Sequence, residues 1–264
     1  MTHGLSNGFL YTAKRIITIW DTAKGTIENA GTGFFVQKED TLYLITNRHV
    51  AELTYSHPEY MGATLKECRC EGYENMSEDF IPTTYTSIKI ENHGDFVFHS
   101  NPNNEIACLK NPKYVKGTSG TITLPIDYAL LATKDILDTK VTVCDTVAYP
   151  GFPDWYDRKN NTPIFRMGTI ASDPRVGYAV NAGDPDSDQI AYEGFSSSGA
   201  SGSPVFAIQR GFKTGAGISV PDDFYRPVLL IGINAGHFPS KEGHSGISLF
   251  YKSSAIIETI ESCK

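Results

Sequence analysis

Short runs of β-branched, aromatic and aliphatic residues, each followed by a polar or glycine-containing turn, recur along most of the chain. Residues 9–20 form one such run, and residues 31–36 and 42–46 form two more, which a charged turn at 38–40 joins. Two β-type runs separated by a short polar turn are typical of a β-hairpin. Further runs predict strands over 83–90, 96–98, 140–149, 163–172, 204–209, 228–237 and 246–251. Many short strands divided by turns predict an all-β fold of barrels or a sandwich.

Residues 253–263 are the exception, because their apolar positions have helical spacing. Ile256, Ile257 and Ile260 fall on one face, and a serine stands at the start, where a hydroxyl can cap free backbone N–H groups. This segment therefore predicts one helix near the end of the sequence.

Composition narrows the classes of function. The chain has 264 residues, a formal net charge of −7 and no run of Lys and Arg, which argues against a nucleic-acid-binding surface. No apolar segment is long enough to cross a membrane, and residues 1–20 lack the basic start and apolar stretch of a signal peptide. The five cysteines are odd in number and show no disulfide-framework spacing. We therefore expect a cytoplasmic protein with no nucleic-acid and no membrane partner.

Two groups of residues resemble metal ligands. Strand alternation would place His93, Asp95 and His99 on one face, but a metal site needs further ligands, and none stands out. Residues 184–195 begin like a calcium loop, with acids at alternate positions, but lack its sixth-position glycine and twelfth-position glutamate. A solvated acidic turn is the better interpretation, and we predict no metal and no cofactor.

The glycine- and serine-rich segment 194–206 indicates nucleophilic chemistry. Glycines let the backbone take positive φ and lie close to a ligand. A tight turn that presents one hydroxyl and aims N–H groups at one point is what acyl transfer requires. Ser201 would be the nucleophile, and the N–H groups of Gly199 and Ser201 would form the oxyanion hole. A plain surface loop has a similar composition, so the segment alone leaves both interpretations open.

Two further positions could complete such a site. His49 stands where a hydrophobic strand ends and a helical turn begins, which weakens the interpretation that it is merely packed. Asp127 precedes the apolar run 128–132, as a turn residue commonly does. Alternatively, Asp127 is a buried carboxylate that accepts a hydrogen bond from an imidazole and fixes its tautomer.

Three segments that contain these residues occur in one order. They are Gly31-Thr32-Gly33-Phe34-Phe35-Val36 with Leu44-Ile45-Thr46-Asn47-Arg48-His49-Val50, then Asp127-Tyr128-Ala129-Leu130-Leu131, then Gly199-Ala200-Ser201-Gly202-Ser203-Pro204. With this order of His, Asp and Ser, the chain resembles the chymotrypsin-like (trypsin-fold) serine peptidases, closest to bacterial single-chain members of the HtrA and glutamyl-endopeptidase types. The resemblance covers nearly the whole chain.

The resemblance implies two six-stranded antiparallel β-barrels of the chymotrypsin type with a C-terminal helix, in one peptidase domain. The N-terminal barrel would span 1–138 and carry an insertion at about 55–105, because 77 residues separate His49 from Asp127. The C-terminal barrel would span 139–252 and the helix 253–264.

The resemblance also implies the roles of the site residues. His49 would take the proton of Ser201, Asp127 would orient His49, and the oxyanion would lie on the N–H groups of Gly199 and Ser201. By matching motif positions, substrate would be bound by Phe195, Ser196, Asn234, Ala235, Gly236 and Gly246. No aspartate lies at the predicted base of the pocket, so we expect a neutral or hydrophobic substrate side chain.

The chain departs from the family pattern in two places beside the nucleophile. Ala200 replaces the aspartate that pairs with a newly cut N-terminal amine in digestive members, so activation by propeptide cleavage is not expected. Ser203 replaces a common glycine. We expect a serine endopeptidase that cleaves polypeptides and that a protein partner or a trigger activates or restrains. The alternative is a catalytically silent or conditionally assembled module of the same fold that binds peptides by β-addition.

Overall fold

The computed structural model describes residues 5–77, 82–116, 124–213, 221, 224–240 and 243–263, and strands are the predominant regular structure. The strands are β1 (Ala13–Thr22), β2 (Gly25–Lys38), β3 (Thr41–Asn47), β4 (Thr64–Met76), β5 (Pro82–Ile90), β6 (Val97–Phe98), β7 (Ile106–Lys110), β8 (Ile126–Asp127), β9 (Thr146–Gly151), β10 (Ile164–Ile170), β11 (Gln189–Glu193), β12 (Pro204–Ala207), β13 (Leu229–Ser240) and β14 (Gly243–Lys252). The helices are α1 (Asn7–Leu10), α2 (Arg48–Ala51), α3 (Leu53–Ser56), α4 (Lys134–Lys140) and α5 (Ser253–Ser262). The predicted C-terminal helix is therefore confirmed.

The second half of the chain forms a closed six-stranded barrel in the order β10-β11-β14-β13-β12-β9. Side chains that point inward fill it, because alternate positions along each strand face the interior. The buried interior includes Val147, Tyr149, Ile190, Tyr192 and Phe250. This part of the fold agrees with the predicted barrel.

The first half forms an open sheet, which corrects the prediction of two closed barrels. Its order is β5-β4-β1-β2-β3-β7-β6, with β8 paired in parallel beside β2, and within the described residues its edges do not join. The segment expected to be an insertion, 55–105, supplies the long β4–β5 hairpin, which extends the sheet at the edge of β1. The other edge ends in the two-residue strand β6. The domain boundaries proposed from the sequence stay a prediction.

A shared core joins the two halves and α5. Phe34 and Ile45 from the sheet, Phe206 and Ile233 from the barrel, and Ile256 from α5 are all buried in one cluster. Burial of each such side chain stabilises the fold by about 1.5 to 3 kcal/mol. The site described below lies where these halves meet.

The start of the chain differs from the sequence prediction. Residues 7–10 form the short helix α1, with the Ser6 hydroxyl accepting from the Gly8 amide, whereas a strand was predicted from residue 9. The Phe9 ring packs edge-on against Phe206 of the barrel, with ring centroids 5.0 Å apart. No helix within the described ranges is long and apolar enough to cross a membrane.

Candidate active site

His49 is positioned by the end of β3 and by the residue before β7. Asn47, the last residue of β3, is fully buried, and its side-chain amide donates to the carbonyl of Glu105 at 2.9 Å. The backbone N–H of Arg48 donates to the same carbonyl at 3.0 Å. Two hydrogen bonds to one carbonyl fix Glu105 beside the start of α2, where His49 lies. The carbonyl of His49 accepts in turn from the Asn29 amide at 2.9 Å.

The side chains of His49 and Glu105 form a close pair. The Nδ1 atom of His49 lies 2.6 Å from Oε2 of Glu105, and each side chain is about a quarter exposed. A carboxylate only accepts hydrogen bonds, so Nδ1 is the donor and the lone pair of the neutral ring lies on Nε2. An imidazole held in this tautomer can take a proton from a hydroxyl, and the carboxylate stabilises the imidazolium that results.

Asp127 lies elsewhere, so the expectation that it orients His49 is corrected. Its neighbour across the ladder is Gln37, and Gln37 pairs with Leu42 at the opposite end of the β2–β3 hairpin from His49. A strand rises about 3.3 Å per residue, which puts these positions roughly 15 Å or more apart. The exposed carboxylate of Asp127 accepts from the Ala129 amide at 2.8 Å and caps a short 3₁₀ turn.

A signal for Glu105 was present in the sequence. Glu105 precedes the apolar run 106–109, and Asp127 precedes 128–132, so the chain contains two acids that each head an apolar segment. The first run is the stronger strand, β7, and its partner β3 is the strand that ends at Asn47. Glu105 lies at the end of the segment 55–105 that the sequence predicts to be an insertion, and for that reason the sequence pattern favours Asp127.

The turn that carries Ser201 packs against the sheet at Gly31 and Thr32. The Thr32 amide donates to the carbonyl of Ser201 at 2.8 Å, and its hydroxyl donates to the carbonyl of Gly199 at 2.7 Å. A Cβ at Gly31 would lie 3.2 Å from the Ser201 carbonyl and 2.6 Å from a Val50 methyl, next to His49. The serine turn and the histidine-bearing helix therefore meet at the same short stretch of β2.

Gly199 has the backbone conformation that its predicted role requires. Its φ is +84°, and a Cβ there would lie 2.3 Å from the carbonyl of Phe152, so a larger residue would be excluded. The neighbouring Ala200 amide is used inside the turn, where it donates to Ser197. The amides of Gly199 and Ser201 donate to none of the residues that the structure describes. Two unengaged N–H groups on either side of Ala200 could bind an anionic oxygen.

The Ser201 hydroxyl is engaged by the barrel. Its Oγ donates to the carbonyl of Ala235 at 3.3 Å. Ala235 is the extra residue of a bulge in β13, since Asn234 pairs with Phe250 while Gly236 pairs with the adjacent Leu249. A hydroxyl has one hydrogen, so Ser201 must leave Ala235 before it can donate to His49.

The Asn234 side chain holds the serine turn in place, and its predicted contact with substrate stays a prediction. Its side chain is fully buried, and its amide donates to the carbonyl of Ala200 at 2.9 Å and to the hydroxyl of Ser196 at 2.8 Å. The Tyr192 hydroxyl donates to Asn234 Oδ1 at 2.7 Å. Burial raises the pKa of Tyr192 well above its ordinary value, so this hydroxyl keeps its proton. Ser196 is also buried, and its amide donates to Ser248 Oγ at 3.1 Å.

The other predicted substrate residues, Phe195, Gly236 and Gly246, are less closely packed than Asn234 and Ser196. The Phe195 ring is 56% exposed, and its carbonyl accepts from Tyr149. Gly246 has φ of +87°, and the space around its Cβ position, like that at Gly236, is open. The Gly246 carbonyl accepts from the Gly194 amide at 2.9 Å, which ties this loop to the start of the serine segment.

A second contact between the halves lies directly behind Glu105. Asn104 is buried and exchanges two hydrogen bonds of 2.8 Å with Asp188, one to its carboxylate and one from its amide. The side-chain amides of Asn101 and Asn103 donate to the carbonyl of Asp186. We call this set of bonds the asparagine clasp. It joins the polar turn at 101–104 to the acidic turn at 184–188, which begins like a calcium loop.

A cavity of about 340 Å³ adjoins the same region, and Glu105 forms part of its wall. Aromatic side chains supply much of the remaining lining, namely Tyr55, Tyr178, Phe238 and Tyr251. His93, Asp95 and His99, the group compared with metal ligands in the sequence, do not line this cavity. His99 is buried, and its Nε2 lies 3.2 Å from the carboxylate of Glu258. Among the described residues, no group of three or more His, Cys, Asp and Glu side chains is arranged to hold a metal.

Comparisons with known proteins agree with this architecture. The family model of the trypsin-like peptidase domain matches residues 31–213, more than half of the chain. The structure of HtrA-type protease AlgW with a tripeptide aligns with a TM-score of 0.53 at 17% identity, covering 96% of this chain and 60% of that one. A serine-to-alanine variant of AlgW with a decapeptide gives a TM-score of 0.56 at 17% identity, covering 96% and 63%. This chain thus spans about 60% of the AlgW length. No curated protein matches it in sequence.

Proposed function

Because the chain belongs to the trypsin-like peptidase domain family, we propose that it is a serine endopeptidase whose catalytic residues are Ser201, His49 and Glu105. The observation that carries this proposal is the 2.6 Å contact between His49 Nδ1 and Glu105 Oε2, on a helix that meets the serine turn at Gly31. An imidazole fixed in one tautomer, with Nε2 unprotonated, is the general base that an unactivated hydroxyl needs.

The proposed reaction begins when Ser201 leaves the Ala235 carbonyl. His49 Nε2 takes the hydroxyl proton as Ser201 Oγ attacks the scissile carbonyl, and Glu105 stabilises the imidazolium. The amides of Gly199 and Ser201 bind the oxyanion of the tetrahedral intermediate. His49 then protonates the leaving amine, which departs and leaves an acyl-enzyme. Water, deprotonated by His49, attacks the ester and releases the second product and Ser201.

The proposed substrate is a polypeptide in extended form. The AlgW structures carry a tripeptide and a decapeptide, which supports a peptide ligand for a chain of the same fold. The bulge places the Ala235 carbonyl of β13 beside Ser201, where a peptide strand could pair. We keep the expectation of a neutral or hydrophobic side chain in the primary pocket, and of action in the cytoplasm.

Control by a partner or a trigger is part of the proposal. The Ser201 hydroxyl donates to Ala235, so its one hydrogen is not available to His49. A protein partner or a substrate strand that occupies the Ala235 carbonyl would free the hydroxyl. Such a partner would therefore raise the rate of acylation without contributing a catalytic group.

A fluorophosphonate probe tests the nucleophile directly, because it labels only a serine that a base activates and an oxyanion hole assists. We expect labelling of the wild type and of Ser203→Ala, and none of Ser201→Ala, measured by intact mass. Ser203 is a suitable control because its buried hydroxyl has no hydrogen-bond partner among the described residues. Its removal should change stability by less than about 1 kcal/mol. Labelling that survives in Ser201→Ala would contradict the assignment.

Phe195→Ala should alter the primary specificity. Because the exposed Phe195 ring lies at the predicted wall of the pocket, its removal leaves space for a larger substrate side chain. We expect the preference between large and small side chains, measured with a peptide library, to change by about tenfold or more. An unchanged cleavage profile would remove Phe195 from the pocket.

The engagement of Ser201 by Ala235 also favours a second function, that of a peptide-binding module. In that case the purified protein binds peptides but the probe labels no serine, even at saturating peptide. Peptide-stimulated labelling would instead support a peptidase that its ligand activates.

A further inference from the structure

Two thiols outside the candidate active site lie in contact. Cys108 in β7 and Cys263, directly after α5, are 155 positions apart in the sequence, but their Sγ atoms are 3.3 Å apart. Both residues are free thiols, and they are 0% and 7% exposed. A disulfide bond is about 2.05 Å long, so an approach of roughly 1 Å would join them.

We propose that Cys108 and Cys263 are an oxidation site at which a hydroperoxide converts the two thiols into a disulfide that links α5 to β7. This inference is independent of the proposed peptidase function. It rests on the contact of the two sulfurs and on the position of Cys108 in β7, a strand that leads to the candidate site.

The two thiols differ in pKa and in exposure because their surroundings differ. The pKa of Cys263 is lowered, first by the hydrogen bond between its sulfur and that of Cys108 and further by the positive charge of Lys110. The Lys110 ammonium lies 3.5 Å from the Cys263 carbonyl. The pKa of Cys108 is raised, first by the same hydrogen bond and then by burial. Cys263 is also the more exposed of the two, so it is the thiolate that meets the oxidant.

The chemistry balances in two steps. The Cys263 thiolate attacks one oxygen of hydrogen peroxide, and the O–O bond breaks. The departing hydroxide is protonated to water, and Cys263 becomes a sulfenic acid. The Cys108 sulfur then attacks the Cys263 sulfur, its proton is lost, the S–O bond breaks, and a second water leaves. Overall, two thiols lose two protons and two electrons, and the peroxide is reduced to two waters.

The other thiols are less suited to this reaction. Cys68 and Cys70 are buried in β4, and burial raises the pKa of Cys68 to about 12. Burial likewise raises the pKa of Cys70. Cys144 is exposed and free, whereas the thiol contact described here joins Cys108 to Cys263. Peroxide should therefore leave Cys68 and Cys70 reduced and oxidise Cys144 without forming an internal cross-link.

The link would act on strands that lead to the candidate site. Cys108 pairs with Ile45 in the β3–β7 ladder. β3 leads into His49, and β7 directly follows Glu105. Closing a loop of this length restricts the unfolded chain strongly, so the oxidised protein should unfold at a temperature higher by about 5 to 10 °C.

The test uses the full chain with Cys144→Ser, which removes the exposed thiol that could link two molecules. After hydrogen peroxide treatment we expect a mass loss of about 2 Da, a Cys108–Cys263 linked peptide in non-reducing digests, and the higher unfolding temperature. Dithiothreitol should reverse all three. The matched variant Cys144→Ser with Cys263→Ser should show none of them. Stepwise gains of oxygen mass without a linked peptide, a link to Cys68 or Cys70, or an unchanged unfolding temperature would overturn the proposal.

Discussion

Glu105→Gln is expected to lower kcat/KM by about 10,000-fold, whereas Asp127→Asn should leave it within about twofold of the wild type. The glutamine keeps the size of Glu105 but removes the charge that stabilises the imidazolium. Its amide can also donate to Nδ1, which favours the tautomer with the proton on Nε2 and removes the base. Asp127 only caps a turn on the far side of the hairpin, so its charge does not reach His49.

The measurement is kcat/KM on an unfolded protein substrate, with circular dichroism to show that both variants fold. The fluorophosphonate labelling rate provides a second readout that needs no knowledge of the substrate. Because both acids head an apolar run, each variant serves as the control for the other. A large loss in Asp127→Asn with none in Glu105→Gln would restore the assignment made from the sequence and refute the one made from the structure.

Gly202→Ala is expected to lower the free energy of unfolding by at least about 3 kcal/mol, and to abolish probe labelling where the protein still folds. The φ of Gly202 is +89°, and a Cβ there would lie 1.9 Å from the carbonyl of Thr32 and 2.9 Å from the Thr46 hydroxyl. Those atoms belong to the paired strands β2 and β3, which cannot move apart cheaply. The serine turn would have to lift away from the sheet, and Ser201 with it.

Gly62→Ala separates the effect of the positive φ from the effect of the steric clash. Gly62 has nearly the same φ, +87°, but nothing lies within 4 Å of its Cβ position. Its substitution should therefore lower the free energy of unfolding only by the cost of holding an alanine at positive φ, about 1 to 2 kcal/mol. Chemical denaturation of the two variants gives the difference that is due to the steric clash. Equal losses would show that the contact with Thr32 contributes nothing.

The parts of the fold with local signals were predictable from the sequence. The β2–β3 hairpin and α5 are each encoded by residues that are neighbours in the chain, and their predicted positions agree with the structure. The open sheet was not predictable, because it depends on how the β4–β5 hairpin pairs with β1. Pairing across such distances is set by register and packing of the whole fold.

The residues of the candidate site likewise divide into those with a local sequence signal and those whose positions depend on the tertiary fold. Ser201, Gly199 and His49 lie in short segments whose own composition indicates their chemistry. The identity of the acid beside His49 depends on the register of β7 against β3, which two similar sequence signals cannot decide. The buried position of Asn234 likewise follows from its hydrogen bonds to Tyr192 in β11 and to Ser196 in the serine segment. Sequence patterns specify which residue types can react, whereas the tertiary fold decides which of them meet.

The asparagine clasp has a consequence for making chimeras of this protein. Glu105 belongs to the sheet, but the residue beside it, Asn104, is held by Asp188 of the barrel through two bonds of 2.8 Å. Exchanging either half alone for that of a relative would separate an asparagine turn from the acidic turn that receives it, and would leave Asn104 buried without its partner. Such hybrids should therefore recover their function only when both turns are inherited from the same parent.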